Sequence, residues 1–139
     1  MTLKRYEDWP SRLDAYIESR REMPFVWGGD ANDCVAFCLG AVQAITGVEI
    51  PMPERSTALE AMREIEKAGG LESLLSATVL GPARQNWREA RRGDVVLVEG
   101  RDGHRLLTMV CAGTALVGPG EERMQSMPLR AAVLVWKVG

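Results

Sequence analysis

Apolar positions along the chain follow two regimes. Up to about residue 80 they recur every three or four residues, the spacing of a helix face; from about Gly93 they come in short Val-, Leu- and Met-rich runs separated by Gly, Asp and Pro turns. The first regime predicts a helix from about Trp9 to Arg21, with Pro10 in its opening turn and Leu13, Tyr16, Ile17 and Arg20 on one side. It ends before Pro24, and Pro24–Asp33 reads as a Gly-interrupted loop in which Asn32 or Asp33 is a good N-cap. A second helix follows from Cys34 to Thr46. Cys34, Cys38, Ala41, Val42 and Ile45 form its core stripe and Gly47 its stop. Pro51 and Pro53 keep the next stretch extended; Ser56 or Thr57 then caps a third helix containing Leu59, Met62, Arg63, Ile65 and Glu66, stopped by Gly69-Gly70. A short helical turn is expected at Leu71–Ser76.

The second regime predicts strands at Asp94–Val98, Leu106–Cys111, Ala115–Val117, Met124–Met127 and Ala132–Val138. Helices first and strands second make an α+β fold, with N-terminal helices packed on a C-terminal antiparallel β-sheet of about five strands. A length of 139 residues suits a single domain spanning 1–139, its helical half at about 9–80 and its sheet half at about 93–138.

A hydrophobic fraction of 46% beside 26% charged residues is that of a folded, soluble protein. No run approaches the roughly 18 apolar residues of a membrane span, and Met1–Asp8 has no apolar signal core, so neither a span nor a signal peptide is expected. The formal charge of -2, with signs interspersed, argues against nucleic acid as a partner. Arg84, Arg88, Arg91 and Arg92 form one local basic cluster, suited to a protein contact or to solvent, and the solvated face is the reading preferred. Three cysteines are too few and odd in number for a disulfide framework, which fits folding in a reducing cytoplasm.

One of the three stands where chemistry is favoured. Cys34 opens a helix, where unsatisfied amides and the helix dipole stabilise a thiolate, and it follows a Gly-rich loop that lets substrate approach. Asp33 beside it would partly offset that effect. Cys34 reads equally as a nucleophile or as a small buried apolar residue. Cys38 and Cys111 read as core. A metal or cluster site built from all three thiols lacks both the usual CxxC spacing and a fourth ligand, so no cofactor and no metal are expected. Trp27 and Phe25 would line a substrate groove or pack between helix and loop, and Trp9, Trp87 and Trp136 belong to core or interface.

The run Phe25-Val-Trp-Gly-Gly-Asp-Ala-Asn-Asp-Cys-Val-Ala-Phe37, followed by Thr46-Gly47, resembles the signature of NlpC/P60 cysteine peptidases. Arg92-Gly93-Asp94-Val95-Val96 is similar to the strand that opens that family's sheet. The late Pro128-Leu129 and closing Trp136 are shared with a group of phage and prophage tail proteins of about this length. The resemblance implies a papain-like NlpC/P60 fold with Cys34 as nucleophile, Trp27, Gly28 and Asp33 at the substrate, and cleavage of peptidoglycan stem peptides. It also implies a virion tail location after synthesis in the bacterial host cytoplasm, with tail hub or other tail-tip proteins as partners.

The catalytic partners depart from the family pattern. Anchored on Gly113, the slot of the catalytic histidine holds Leu107, and that of the third polar residue falls near Gly118. The only histidine, His104, comes three residues before Leu107, about 10 Å along a strand, and follows Asp102-Gly103 in a turn. Two expectations stand side by side: a tail-tip protein that keeps the peptidase fold with catalysis weakened or absent, and an active peptidase in which His104 or a water serves as base.

Overall fold

The computed structural model describes residues 3–27, 32–100 and 106–139. Its first helix, α1 (Trp9–Arg20), carries a proline in its first turn and buries Leu13 and Ile17. Tyr16, one turn on from Leu13, donates its hydroxyl to the carbonyl of Phe37 at 2.7 Å. That carbonyl belongs to α2 (Cys34–Thr46). A Cβ at Gly40 would come within 2.2 Å of the Tyr16 hydroxyl, so the two helices pack this closely only because position 40 has no side chain.

The expected stripe of α2 is buried, but so are Val35, Phe37, Leu39 and Thr46. A helix buried on several sides lies between layers rather than on a surface, and α2 is held between α1 and the sheet. Gly47 ends it in the left-handed conformation, at φ 76°. Residues 47–57 then run without regular structure to α3 (Ala58–Lys67). The Thr57 hydroxyl accepts from the Glu60 amide at 3.1 Å, and the Glu60 carboxylate accepts from the Ser56 amide at 2.8 Å. This reciprocal pairing fixes where α3 begins. Ala61 is the buried residue of α3, whereas Leu59 and Met62 are exposed. A short α4 (Leu71–Ser76) follows.

Five strands form one antiparallel sheet in the order β4-β3-β2-β1-β5: β1 (Val95–Glu99), β2 (Leu106–Cys111), β3 (Leu116–Pro119), β4 (Met124–Met127) and β5 (Ala132–Trp136). The first four strands meander, and the last returns to the far side of β1. This is the expected α+β arrangement of N-terminal helices on a five-stranded antiparallel sheet.

The pleat sorts residues between two cores. Val95, Leu97, Val110, Leu134 and Trp136 join the helices in one cluster. Val96, Val98, Met109, Cys111, Leu116 and Val135 form a second on the other face, under Ala90, Trp87, Leu129 and Ala131 from two 3₁₀ turns. Cross-strand pairing of Leu97 with Thr108 and of Val95 with Val110 places Thr108 and Val110 on the α2 side. Pairing along β5 slips between Leu97 and Val98, leaving Val133 as the extra, exposed residue of a bulge.

The end of the chain is tied to its beginning through Asp94, which is fully buried. One carboxylate oxygen accepts from Arg5 at 3.2 Å and from the Val138 amide at 3.0 Å. The other accepts from the Arg91 amide at 2.8 Å and from the Lys137 ammonium. The Gly-Asp pair before β1 is thereby explained. Gly93, at φ 95°, lies where a side chain would meet Arg5 at 2.9 Å and Ile45 at 3.1 Å, and Asp94 supplies the charge that holds three chain segments together.

Candidate functional site

Asp33 is the N-cap of α2, its carboxylate accepting from the Ala36 amide at 2.7 Å. A carboxylate in that place complements the helix dipole and satisfies an amide the helix leaves open. Unlike most capping acids it is buried, at 1% exposure. Its charge is met by Arg55, whose Nε lies 2.8 Å from one carboxylate oxygen and whose Nη2 donates to the other at 2.9 Å. Arg55 also donates to the carbonyl of Pro53 at 3.1 Å, which anchors the 47–57 segment beside the helix start. Nothing in the local sequence points to Arg55, which lies 22 residues away. A buried acid demanding a buried base is the one signal that could have prompted a search for it.

Asn32 is buried as well. Its side-chain amide donates to the carbonyls of Met23 and Pro24 at 3.3 and 3.2 Å, and its backbone bridges to Val26. The loop is thus pinned immediately before the cap. Phe25 and Trp27 meet edge to face, with ring centroids 4.7 Å apart. Gly28 and His104, both expected at the site, lie outside the described residues.

Cys34 is the first residue of α2 and 8% exposed. Successive residues turn about 100° around a helix, so Cys34, Cys38, Ala41 and Ile45 share one side. Ala36, Gly40 and Gln43 share the opposite one, where they line a groove of about 980 Å³ bounded by Trp27 and the 49–56 segment. The thiol therefore belongs to the layer between α2 and the sheet, and the large groove runs behind it. Trp27 borders that groove.

On the thiol side the Thr108 hydroxyl interacts with Cys38. It is fully buried and, among the described residues, has no nitrogen or oxygen partner. At the far end of α2, Ile45 packs toward Gly93, whose amide donates to Cys111. The helix therefore runs alongside β2 in the same direction. Leu106, at the start of β2, shares the Thr108 face of the strand and is exposed.

The positions facing α2 correct the slots assigned by anchoring on Gly113. Leu107 pairs with Val98, out of register with Thr108, and packs against the edges of both cores, and a Cβ at Gly118 would meet Met109, on the far face, at 3.2 Å. On β2 the residues facing α2 are Leu106, Thr108 and Val110, one place out of step with the expectation. Cys111 lies in the second core, so the sheet separates it from the other two thiols. Among the described residues no group of three His, Cys, Asp or Glu side chains is placed to hold a metal, and no helix is long and apolar enough to cross a membrane. The arginines of the 84–92 cluster each meet a partner: Arg84 pairs with Glu89 at 2.9 Å, Arg88 stacks on Trp87, Arg91 donates to the carbonyls of Arg88 and Ala90, and Arg92 pairs with Asp14 of α1.

Burial pushes the Cys38 thiol far above its usual range and raises Cys111 as well. The sign of the linkage follows. An unfolded thiol ionises near pH 8.5 whereas folded Cys38 stays protonated, so stability is full below about pH 8.5 and falls as pH rises past it. Each such group costs up to about 1.4 kcal/mol per pH unit. Urea unfolding between pH 7 and 9.5 is expected to show a shallower alkaline loss for Cys38→Ala than for the wild type. Equal slopes would mean that Cys38 ionises in the folded state as readily as in the unfolded chain.

A family model described as a domain of unknown function, DUF6950, matches residues 4–138. A search of curated proteins finds no match.

Proposed function

Because the chain belongs to the DUF6950 family, whose function is unknown, its role has to be argued from the site, and we propose that it is a phage tail-tip protein built on an NlpC/P60-like peptidase fold. In this reading Cys34 keeps the nucleophile position while the base opposite it is weakened or lost. The observation that carries it is the makeup of β2 where it faces α2: Leu106, Thr108 and Val110. A threonine hydroxyl has no basic lone pair suited to taking a thiol proton at neutral pH, and leucine and valine have none at all. In this reading no base for Cys34 comes from the strand residues that face α2, and a thiol served by a weaker base loses much of the acceleration that a dyad provides. The fold then serves as a building block, and its partners are tail hub or other tail-tip proteins.

A second reading, an active cysteine peptidase cleaving peptidoglycan stem peptides with His104 as base, is favoured by the capped start of α2. Cys34 is the first helical residue, and its neighbouring acid is already neutralised by Arg55. One pair of measurements separates the two. The tail-tip reading expects the protein to co-sediment with purified phage tails, and the pure wild type and Cys34→Ala to release equally little stem peptide from peptidoglycan. Release by the wild type that is abolished in both Cys34→Ala and His104→Ala would replace it with the peptidase reading. Absence of the chain from purified tails would remove the structural role.

A further inference from the structure

We infer that Arg55 is a positioning residue for Cys34: it locks Asp33 into the N-cap of α2 and cancels the negative charge that Asp33 would otherwise hold against the thiol. The inference rests on the reading of Cys34 as the nucleophile position and holds whether or not a base completes the dyad.

A helix start favours a thiolate because its open amides and dipole present positive charge. A carboxylate at the N-cap opposes this, since a like charge nearby disfavours ionisation. Asp33 is adjacent to Cys34 in sequence, 1% exposed, and shielded little by water. Left alone it would undo much of the benefit that the helix start gives. Arg55 alters the balance by pairing with both carboxylate oxygens, at 2.8 and 2.9 Å, while itself 8% exposed. The fork also fixes the carboxylate plane, so that Asp33 still accepts from the Ala36 amide at 2.7 Å. Capping is kept and the charge of Asp33 is offset by that of Arg55. Lysine could supply the charge but not the two-point geometry.

Among the described residues, one other charged group reaches this end of α2: Arg20 of α1, whose guanidinium lies 3.5 Å from Asn32 Oδ1 and over the Tyr16 ring, and which stays in place in every variant below. Cys38 lies one turn along the same helix, and Tyr16 reaches α2 from α1; burial holds both neutral well beyond neutral pH. From β2 the facing polar group is the Thr108 hydroxyl, which carries no charge. Asp33 and Arg55 are thus the buried ion pair immediately beside Cys34.

The test is a pH titration of thiolate absorbance near 240 nm on the full chain, with the Cys34→Ser protein subtracted so that only Cys34 is read. Removing the neighbouring positive charge in Arg55→Gln is expected to raise the Cys34 midpoint by about one unit or more, a roughly tenfold smaller thiolate fraction at neutral pH. The double variant Asp33→Asn/Arg55→Gln, which keeps an N-capping side chain, is expected to return the midpoint close to the wild-type value. Asp33→Asn alone leaves Arg55 unopposed and is expected to lower it. If Arg55→Gln does not fold, the Asp33→Asn and double variants still decide the matter. Midpoints that coincide in every folded variant would overturn the inference. Because the readout is thiol ionisation, this result is independent of whether the protein releases stem peptides or co-sediments with tails.

Discussion

Replacing Asp94 by alanine is expected to lower the unfolding free energy by about 3–5 kcal/mol, the usual cost of removing one member of a buried charge cluster. The effect is large because the carboxylate answers four donors at once: Arg5, Lys137 and the backbone amides of Arg91 and Val138. Without it two partly buried cations lose their counter-ion, and two amides lose their acceptor at a position where the carboxylate itself is fully buried. Arg5 retains its bonds to the carbonyls of Arg92 and Val138, at 2.7 and 2.5 Å, so the N-terminal segment is not wholly released. Asp94→Asn keeps the shape and one acceptor oxygen, and its expected loss is smaller, about 1–3 kcal/mol. Thermal unfolding reads both. The alanine variant should melt lower by roughly 10–20 °C, and a shift of only a degree or two would mean that the carboxylate holds nothing that water cannot replace.

The second large effect is expected at Trp136. It is the largest of the fully buried side chains and closes the helix-side core from the last strand. Its indole nitrogen donates to the Ser76 hydroxyl at 3.1 Å, which couples β5 to the end of α4. Trp136→Ala should cost about 3–5 kcal/mol through lost burial and the cavity left behind. Trp136→Phe keeps much of the apolar surface and drops the hydrogen bond, and should cost distinctly less. Urea unfolding of the two variants checks the order. Equal losses would place the energy in the indole–Ser76 bond rather than in packing.

The two residues were legible in the sequence to different depths. Trp136 could be assigned to core or interface because a tryptophan ending a Val- and Leu-rich run has few other places to go. Asp94 stood out only as the acid of a Gly-Asp pair. Its partners come from residues 5, 91, 137 and 138, and no local pattern links them. The same holds at the candidate site. That a helix begins at Cys34 after a cap at Asn32 or Asp33 could be read from a loop of glycines followed by an apolar stripe and Gly47; that Asp33 is the cap came from the structure. That Asp33 is neutralised could not be read, because Arg55 arrives from beyond α2 through the segment that Pro51 and Pro53 keep extended.

Periodicity by itself determined the helices, the five strands and their division into halves, because both repeats, 3.6 and 2, are properties of a single segment. The boundaries of α2 fell where Asp33 and Gly47 placed them, since capping is local chemistry. The face each strand residue takes was decided only by the tertiary structure. Counting back from Gly113 gave Leu107 the histidine slot, but cross-strand register turns Leu106, Thr108 and Val110 toward α2, and in a pleated sheet a single step exchanges the two faces. The side of α2 that carries the large groove was likewise settled by packing. The sheet takes the Cys34 side for its core, and the remaining side is left to face the 49–56 segment. Sequence fixes what each segment can bury; which charges and hydroxyls meet across the interior depends on how the segments are brought together.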